Sequence, residues 1–435
     1  MKVSFRGFLE KLEKSGQLVK IKEPVSKRLE ASGILNKLSG KPALFEKIKE
    51  SSFKVAGNIC TSKEIVASYF GIKPSELVRR MIKAIDAPSK PEIVKTCECQ
   101  EVIEESVDLD KLPILLHCSK DGGNYISSGV FVAKDPEYGQ NLSFHRAMQL
   151  SKNKFAIRVI PRRHFDEFLR RSKGEMDVAV CIGNPMGVLL AGATSVEIGQ
   201  DELEIANSLE PLQVVKAKTV DLLVPANCEF VLEGRVIKET HAEGPFVDLT
   251  ETYDIVREQP VLKVRKITHR RDAIWHALLP GKLEHKFLMG TPREPTIFKE
   301  VSKVCNCLDV YVNPGGCSWL HAIVQIDKRS EEDGKRAIDA AFLGHKSLKH
   351  VFIVDGDIDI CNPLEVEWAM AMRFQGDRNL VIKAKEVGSS LDPSADPKTS
   401  ETTKVGFDLT KPLIAKGKAF GKAEFPEVEL QKYLG

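Results

Sequence analysis

The stretch THAEGPFVDLTETYD, residues 240–254, sets Glu243 and Asp248 five positions apart around a Gly244-Pro245-Phe246 bend. Two carboxyl groups held side by side in a partly dry site titrate as a coupled pair, and one of them then suits proton transfer near neutral pH. Gly244 and Pro245 break both a helix and a central strand, so the two acids are expected on a loop. Loops on a rigid scaffold commonly carry chemistry. A solvated acidic turn would have the same composition.

A second segment, GQNLSFHRAMQLSKNKFAIRVIPRRHF, gathers Asn141, His145, Arg146, Arg158, Arg162, Arg163 and His164 around two strand-like stretches. Basic side chains facing one cleft suit a phosphate or carboxylate. A solvated basic face is the alternative, and RRHFDEFLRRSK has a helical face that would expose some of its arginines. Asn141, His164 and Glu202 could supply oxygen, nitrogen and oxygen ligands to a hard divalent ion. Asp355, Asp357 and Asp359 superficially suggest a calcium loop, but Ile360 and Val366 stand where that loop needs glycine and a bidentate glutamate. These acids are expected at a strand end, as partners of a following helix dipole. The sequence contains no GxSxG, P-loop, HExxH or complete GxGxxG motif.

The elements that must position these groups fall into three parts. At 435 residues the chain exceeds one ordinary core. With 42% hydrophobic and 29% charged residues it reads as a soluble globular protein. Its 64 Lys+Arg against 61 Asp+Glu leave no basic excess for nucleic acid, and no apolar run is long enough to span a membrane. A cytoplasmic location is expected, with the ten cysteines as free and mostly buried thiols. Ser4 can cap a helix carrying Phe5, Phe8, Leu9 and Leu12, which Gly16 ends. QLVKIKEPV then alternates as a strand, KPSELVRRMIKAID reads as a capped helix, and residues 87–92 read as a linker. Between about 100 and 300 the segments KFAIRVI, DVAVCI, LQVVKA, CEFVLEG and VLKVRKI predict strands of a barrel or sandwich. Beyond about 300, AIVQI, the helix EEDGKRAIDAAFLG, the strand HVFIVD and a helix from Pro363 capped by Asn362 predict an α/β domain.

Taken in order, FLEKLEKSGQLVKIKEPV, DGGNYISSGVFVAKDPEYGQNLSFHR, DELEIANSLEPLQVVKAKTVDLLVPANCEFVLEG, EGPFVDLT, LKHVFIVDGDIDICNPLEVEWAMAMR and SSLDPSADPKTSETTKVGFDLT resemble the UbiD-type family of prenylated-FMN-dependent decarboxylases over nearly the whole chain. The resemblance implies a mixed α+β fold in three parts: an N-terminal α/β part (1–95), a split β-barrel holding the flavin (96–300) and a C-terminal α/β domain used for assembly (301–435). It implies that Glu243, Arg146 and Asp248 form the catalytic network, with Asp248 delivering the proton that replaces carbon dioxide. It further implies that Asn141, His164 and Glu202 hold Mn2+ or Mg2+, with K+ as an accompanying ion. Ser143, Phe144, His145, Arg146, Arg158, Val159, Ile160, Arg163 and His164 match flavin-contacting segments, and Lys349 matches a phosphate-binding lysine. Many members have tyrosine where this chain has His145, and FVDLTETYD follows compact archaeal members. Those decarboxylate trans-anhydromevalonate 5-phosphate to isopentenyl phosphate in the archaeal mevalonate route. The expectation is therefore a phosphorylated, unsaturated acid as substrate, a flavin prenyltransferase as cofactor supplier, and a homo-oligomer, dimer or hexamer. An aromatic acid of the 4-hydroxybenzoate or cinnamate type, or a non-catalytic flavin-carrying role, are the competing readings.

Overall fold

Ser4 accepts a hydrogen bond from the Gly7 N–H at 3.0 Å and so starts the helix Phe5–Lys14, whose Phe5, Phe8, Leu9 and Leu12 are buried. In the computed structural model, residues 3–414, 420, 422–423 and 425–433 are described. The N-terminal part continues with a sheet ordered Val19–Ile21, Ala43–Phe45, Lys54–Gly57, Ile274–His276. Its last strand comes from more than two hundred residues downstream and pairs in parallel with Lys54–Gly57. Buried Glu284 secures that junction by accepting from the N–H groups of Asn58 (2.8 Å) and Ile59 (3.2 Å) and from His276 Nε2 (2.9 Å).

The central part is built on a nine-stranded antiparallel sheet. Its path runs Tyr125–Ile126, Ala147–Ser151, Lys154–Ile157, Arg257–His269, Phe230–Glu243, Met176–Ile182, Val130–Asp135, Gly139–Phe144, and Val102–Ile103 adds to Arg257–His269. Four of the five expected strands lie in it. The fifth, Gln213–Lys216, joins Glu92–Val94 and Leu223–Pro225 in a separate sheet. Met176–Ile182 shows why these strands read as continuous apolar runs: Ala179 and Cys181 pack with the helices Met186–Gly192 and Glu202–Leu209, while Val178, Val180 and Ile182 face Phe155, Phe230 and Phe168. Both faces are covered, so neither can be polar.

In the C-terminal part, His321–Asp327 and His350–Asp355 are parallel neighbours joined through the helix Asp333–Gly344, within a five-stranded sheet. Asn362 caps the helix Pro363–Arg373 as expected, accepting from the Leu364 N–H at 3.1 Å. The neighbouring acids have another role than the expected dipole partnership. Asp355 and Asp357 bind Arg373 at 3.0 and 2.8 Å, and Asp359 accepts from the Cys361 N–H. Lys63, on the N-terminal helix Lys63–Phe70, reaches into this part and bonds Glu294 at 2.9 Å and the Val310 carbonyl at 2.6 Å. All ten cysteines are free. Among the described residues no helix is long and apolar enough to cross a membrane.

Candidate active site

Glu243 is the last residue of the fourteen-residue strand Phe230–Glu243, not a loop residue, and it pairs across the sheet with Arg257. The chain then turns through Gly244, whose φ of +105° lies where residues with a Cβ are strained. The turn is seated on Gly122, where an added Cβ would come within 2.2 Å of the Gly244 carbonyl oxygen; the Gly122 N–H donates to the Pro245 carbonyl at 2.8 Å. Phe246–Val247 pairs with Tyr253–Asp254, and the resulting hairpin carries Asp248 at its tip and returns Asp254 opposite Phe246. One bend thus delivers three carboxylates to the same place.

Arg146, between Gly139–Phe144 and Ala147–Ser151, is what they converge on. Its Nε and Nη2 donate to the two Glu243 oxygens at 2.8 and 3.0 Å, a fork-to-fork pair. Nη2 also donates to Asp254 at 2.9 Å, while Nη1 lies 3.6 Å from Asp248. The guanidinium sits 5.3 Å from the centroid of the Phe246 ring. Burial alone would lower the proton affinity of Arg146, but Glu243, Asp254 and Asp248 outweigh it and hold the side chain charged. Glu243 is 0% exposed and accepts a further bond from the Tyr125 hydroxyl at 3.0 Å. Burial, with the Glu243 charge beside it, raises the Tyr125 hydroxyl well above its ordinary range, so it remains a donor. Asp248 is more accessible than Glu243, its side chain 24% exposed against 0%.

The second expected group is only partly assembled. Asn141 Nδ2 donates to Glu202 Oε1 at 2.8 Å, and the other Glu202 oxygen accepts from the Leu142 N–H at 2.8 Å. Burial holds the Glu202 carboxyl at about 8 against those donors. A buried carboxyl group with no cationic partner among the described residues fits a hard cation, which would hold it ionised, and Asn141 and Glu202 offer the oxygen donors such an ion takes. His164 opens the helix His164–Arg171, half-buried, and hydrogen-bonds to neither of them. Among the described residues no three His, Cys, Asp or Glu side chains are grouped to hold a metal.

His145 is buried, 4.3 Å from the Phe165 ring and 5.1 Å from Phe131. Burial lowers it to about 4, so the ring is neutral, with Nδ1–H donating to the Arg158 carbonyl at 2.8 Å and Nε2 accepting from the Ser143 hydroxyl at 3.0 Å. It therefore joins Ser143 to the Arg158–Val159 backbone, whose Val159 N–H is held by Gln259 at 2.8 Å. Arg158 points toward Asp254 at 3.9 Å. Phe144 is half-buried, and Ile160 and Arg163 are exposed. Lys349, from the C-terminal part, is paired with Asp392 at 2.9 Å and with Ser394. Sequence reasoning missed Tyr125, Asp254 and His285, whose Nδ1 accepts from the Gly281 N–H and whose charged neighbours are Asp248, Arg146 and Lys286.

Three consecutive stretches match the domains of one family, the 3-octaprenyl-4-hydroxybenzoate carboxy-lyases: residues 9–85 its N-terminal domain, 92–283 its Rift-related domain and 286–409 its C-terminal domain. The chain is 41% identical over 411 residues to the anhydromevalonate phosphate decarboxylase of Methanocaldococcus jannaschii, covering 93% of this chain and 97% of that protein. It is likewise 41% identical over 431 residues to the enzyme of the same name from Methanosarcina mazei, covering 98% and 100%. In structure it is similar to the UbiD-class enzyme HmfF of Pelotomaculum thermopropionicum in complex with FMN, with a TM-score of 0.95, 33% identity and coverage of 99% and 100%. An evolved dimeric form of HmfF in complex with prFMN gives a TM-score of 0.91 at 32% identity, covering 100% of both chains. The chain belongs to the UbiD family and is a carboxy-lyase of that class.

Proposed function

We propose that this protein uses prenylated FMN to decarboxylate trans-anhydromevalonate 5-phosphate, giving isopentenyl phosphate and carbon dioxide. The observation that carries this reading is the buried Arg146–Glu243 fork with Asp248 beside its remaining nitrogen, in a chain 41% identical to two anhydromevalonate phosphate decarboxylases. Bound prenylated FMN supplies an electron sink for the carbon that loses its carboxylate. Arg146 Nη1, the nitrogen that neither Glu243 nor Asp254 occupies, binds the substrate carboxylate and so orients the bond to be broken. Glu243, held by Arg146 and Tyr125, fixes that arginine. Asp248 delivers a proton to the carbon that carried the carboxylate.

Asn141 and Glu202, with His164, would hold Mn2+ or Mg2+, and Ser143 to Arg146, Arg158 to Ile160, Arg163 and Lys349 would contact the cofactor. A flavin prenyltransferase would supply it, and the likeness to HmfF supports assembly as a homo-oligomer. Protein produced alongside a flavin prenyltransferase is expected to release a ligand with the mass and visible spectrum of prenylated FMN, and to convert the phosphorylated acid. Release of no flavin, or no carbon dioxide from that acid with flavin bound, overturns the reading.

A further inference from the structure

Three of the packed arginines bring their own counterions: Arg146 has Glu243, Arg373 has Asp355 and Asp357, and Arg6 has Glu229. Arg293 has none. It ends the short turn Thr291–Arg293, and its terminal nitrogens donate to the Ser195 hydroxyl and, at 3.3 Å, to the Ala193 carbonyl. Its Nε is buried without a partner. The guanidinium lies 5.3 Å from the Trp319 ring centroid, and Trp319 meets His345 edge-on at 4.6 Å. His345 is 8% exposed, and its Nε2 is also without a partner. The charge bearing on Arg293 is that of Arg163, while Arg293, Lys404 and Arg163 all bear on His345. Among these described residues there is no carboxylate. A guanidinium with a buried, unpartnered Nε and a second arginine's charge beside it is expensive unless an anionic ligand completes it.

The helix Leu283–Gly290 connects this cluster to the carboxylate network. His285 lies by Asp248 and Arg146 at one end, and Arg293 follows eight residues later, about 12 Å along a helix axis. In the acid assigned above, six bonds separate the carboxylate carbon from the phosphorus, about 7 Å at ordinary bond lengths. The difference of about 5 Å is within the length of an extended arginine side chain. Lys282 and Lys286, nearer the turn, share the single carboxylate of Glu251 at 2.6 Å each, so both already have an anionic partner and the trio keeps one positive charge, whereas Arg293 has no such pair.

Resting on that substrate reading, we propose that Arg293, assisted by Ser195, receives the phosphate monoester of the substrate while Arg146 holds its carboxylate. The enzyme's preference for a phosphorylated acid then resides at the seam between the central and C-terminal parts. The same chemistry could come from the flavin's own phosphate, and the test separates the two sources. Holoenzymes carrying Arg293→Gln and Arg293→Lys are compared with wild type for flavin content, thermal midpoint, and kcat/KM on anhydromevalonate phosphate and on the same acid without phosphate. Arg293→Gln is expected to lower kcat/KM for the phosphorylated acid about a hundredfold, with flavin content and the unphosphorylated acid little changed. Arg293→Lys, which keeps the charge but not the fork, is expected to recover part of the loss. Flavin loss that tracks activity would give the group to the cofactor and overturn the proposal, as would an equal fall for both acids or no change for either. Wild-type enzyme that turns over only unphosphorylated acids overturns the substrate reading itself. A wild type active on the phosphorylated acid beside an unaffected Arg293→Gln overturns this assignment alone.

Discussion

Replacing Asp254 by alanine removes one of the carboxylates that hold Arg146 while leaving the Glu243 fork intact. Asp254 accepts from Arg146 Nη2 at 2.9 Å and pairs with Arg257 at 2.7 Å; its side chain is 15% exposed and that of Arg146 is 11% exposed. Burial alone would raise the Asp254 carboxyl, but Arg257 and Arg146 outweigh it and hold it below the ordinary range, so it is ionised whenever the enzyme works. The Arg257 side chain is a third exposed, so solvent weakens that pair. The bond to Arg146 is charge-assisted and largely dry, which sets its worth at about 2 kcal/mol. If that energy is spent on aiming Nη1 at the substrate carboxylate, kcat/KM falls about 30-fold, chiefly through KM. Asp254→Asn, which keeps a neutral acceptor, should recover part of it. The assay is steady-state carbon dioxide release with flavin occupancy measured on the same samples. A change below about threefold at equal occupancy would refute the assignment of Asp254 as a positioning residue.

Glu202→Gln should lower bound metal and flavin together, read by elemental mass spectrometry and by absorbance of the released cofactor; unaltered metal content would remove Glu202 from the ligand set. Burial raises the Asp121 carboxyl to about 6 against the Cys118 N–H that it accepts, and its Oδ1 has no partner. The folded protein thus binds this proton more tightly than the unfolded chain, so the stabilisation is complete below about pH 4 and is lost as the pH rises through about 6. Asp121→Asn should therefore stabilise the protein by about 1 kcal/mol at pH 7.5, allowing for partial exposure, with no gain at pH 4 in denaturant titrations. An equal gain at both would contradict it. Lys63→Met leaves Glu294 and Asp309 uncompensated at the junction of the first and last parts. It should cost about 3–5 kcal/mol in urea unfolding, and a loss under about 1 kcal/mol would show that the pair contributes little.

Local patterns carried most of the secondary structure. The strands Lys154–Ile157 and Met176–Ile182 and the helices Phe5–Lys14 and Asp333–Gly344 follow from alternation, apolar spacing and caps that lie within a few residues of each other. What escaped depended on distant chain. Ile274–His276 completes a sheet begun by Val19–Ile21, and no local signal marks that partnership. Asp355 and Asp357 were expected to face a helix N-terminus, but Arg373 arrives from the far end of that helix and takes both. Asp254 stands in the very stretch that holds Glu243 and Asp248, yet its role depends on the register Phe246↔Asp254, which only the folded hairpin sets. Arg293 sits in an unremarkable GTPREP sequence, and its lack of a counterion shows only once every neighbour is in place.

The most direct test of the account is carbon dioxide and isopentenyl phosphate formation from trans-anhydromevalonate 5-phosphate by flavin-loaded wild-type and Asp248→Asn protein. The account expects equal amounts of both products from wild type, and loss of turnover with flavin retained in Asp248→Asn. Wild-type rates from Asp248→Asn would contradict the assignment of Asp248 as proton donor, and the absence of carbon dioxide from flavin-loaded wild type would contradict the proposed reaction.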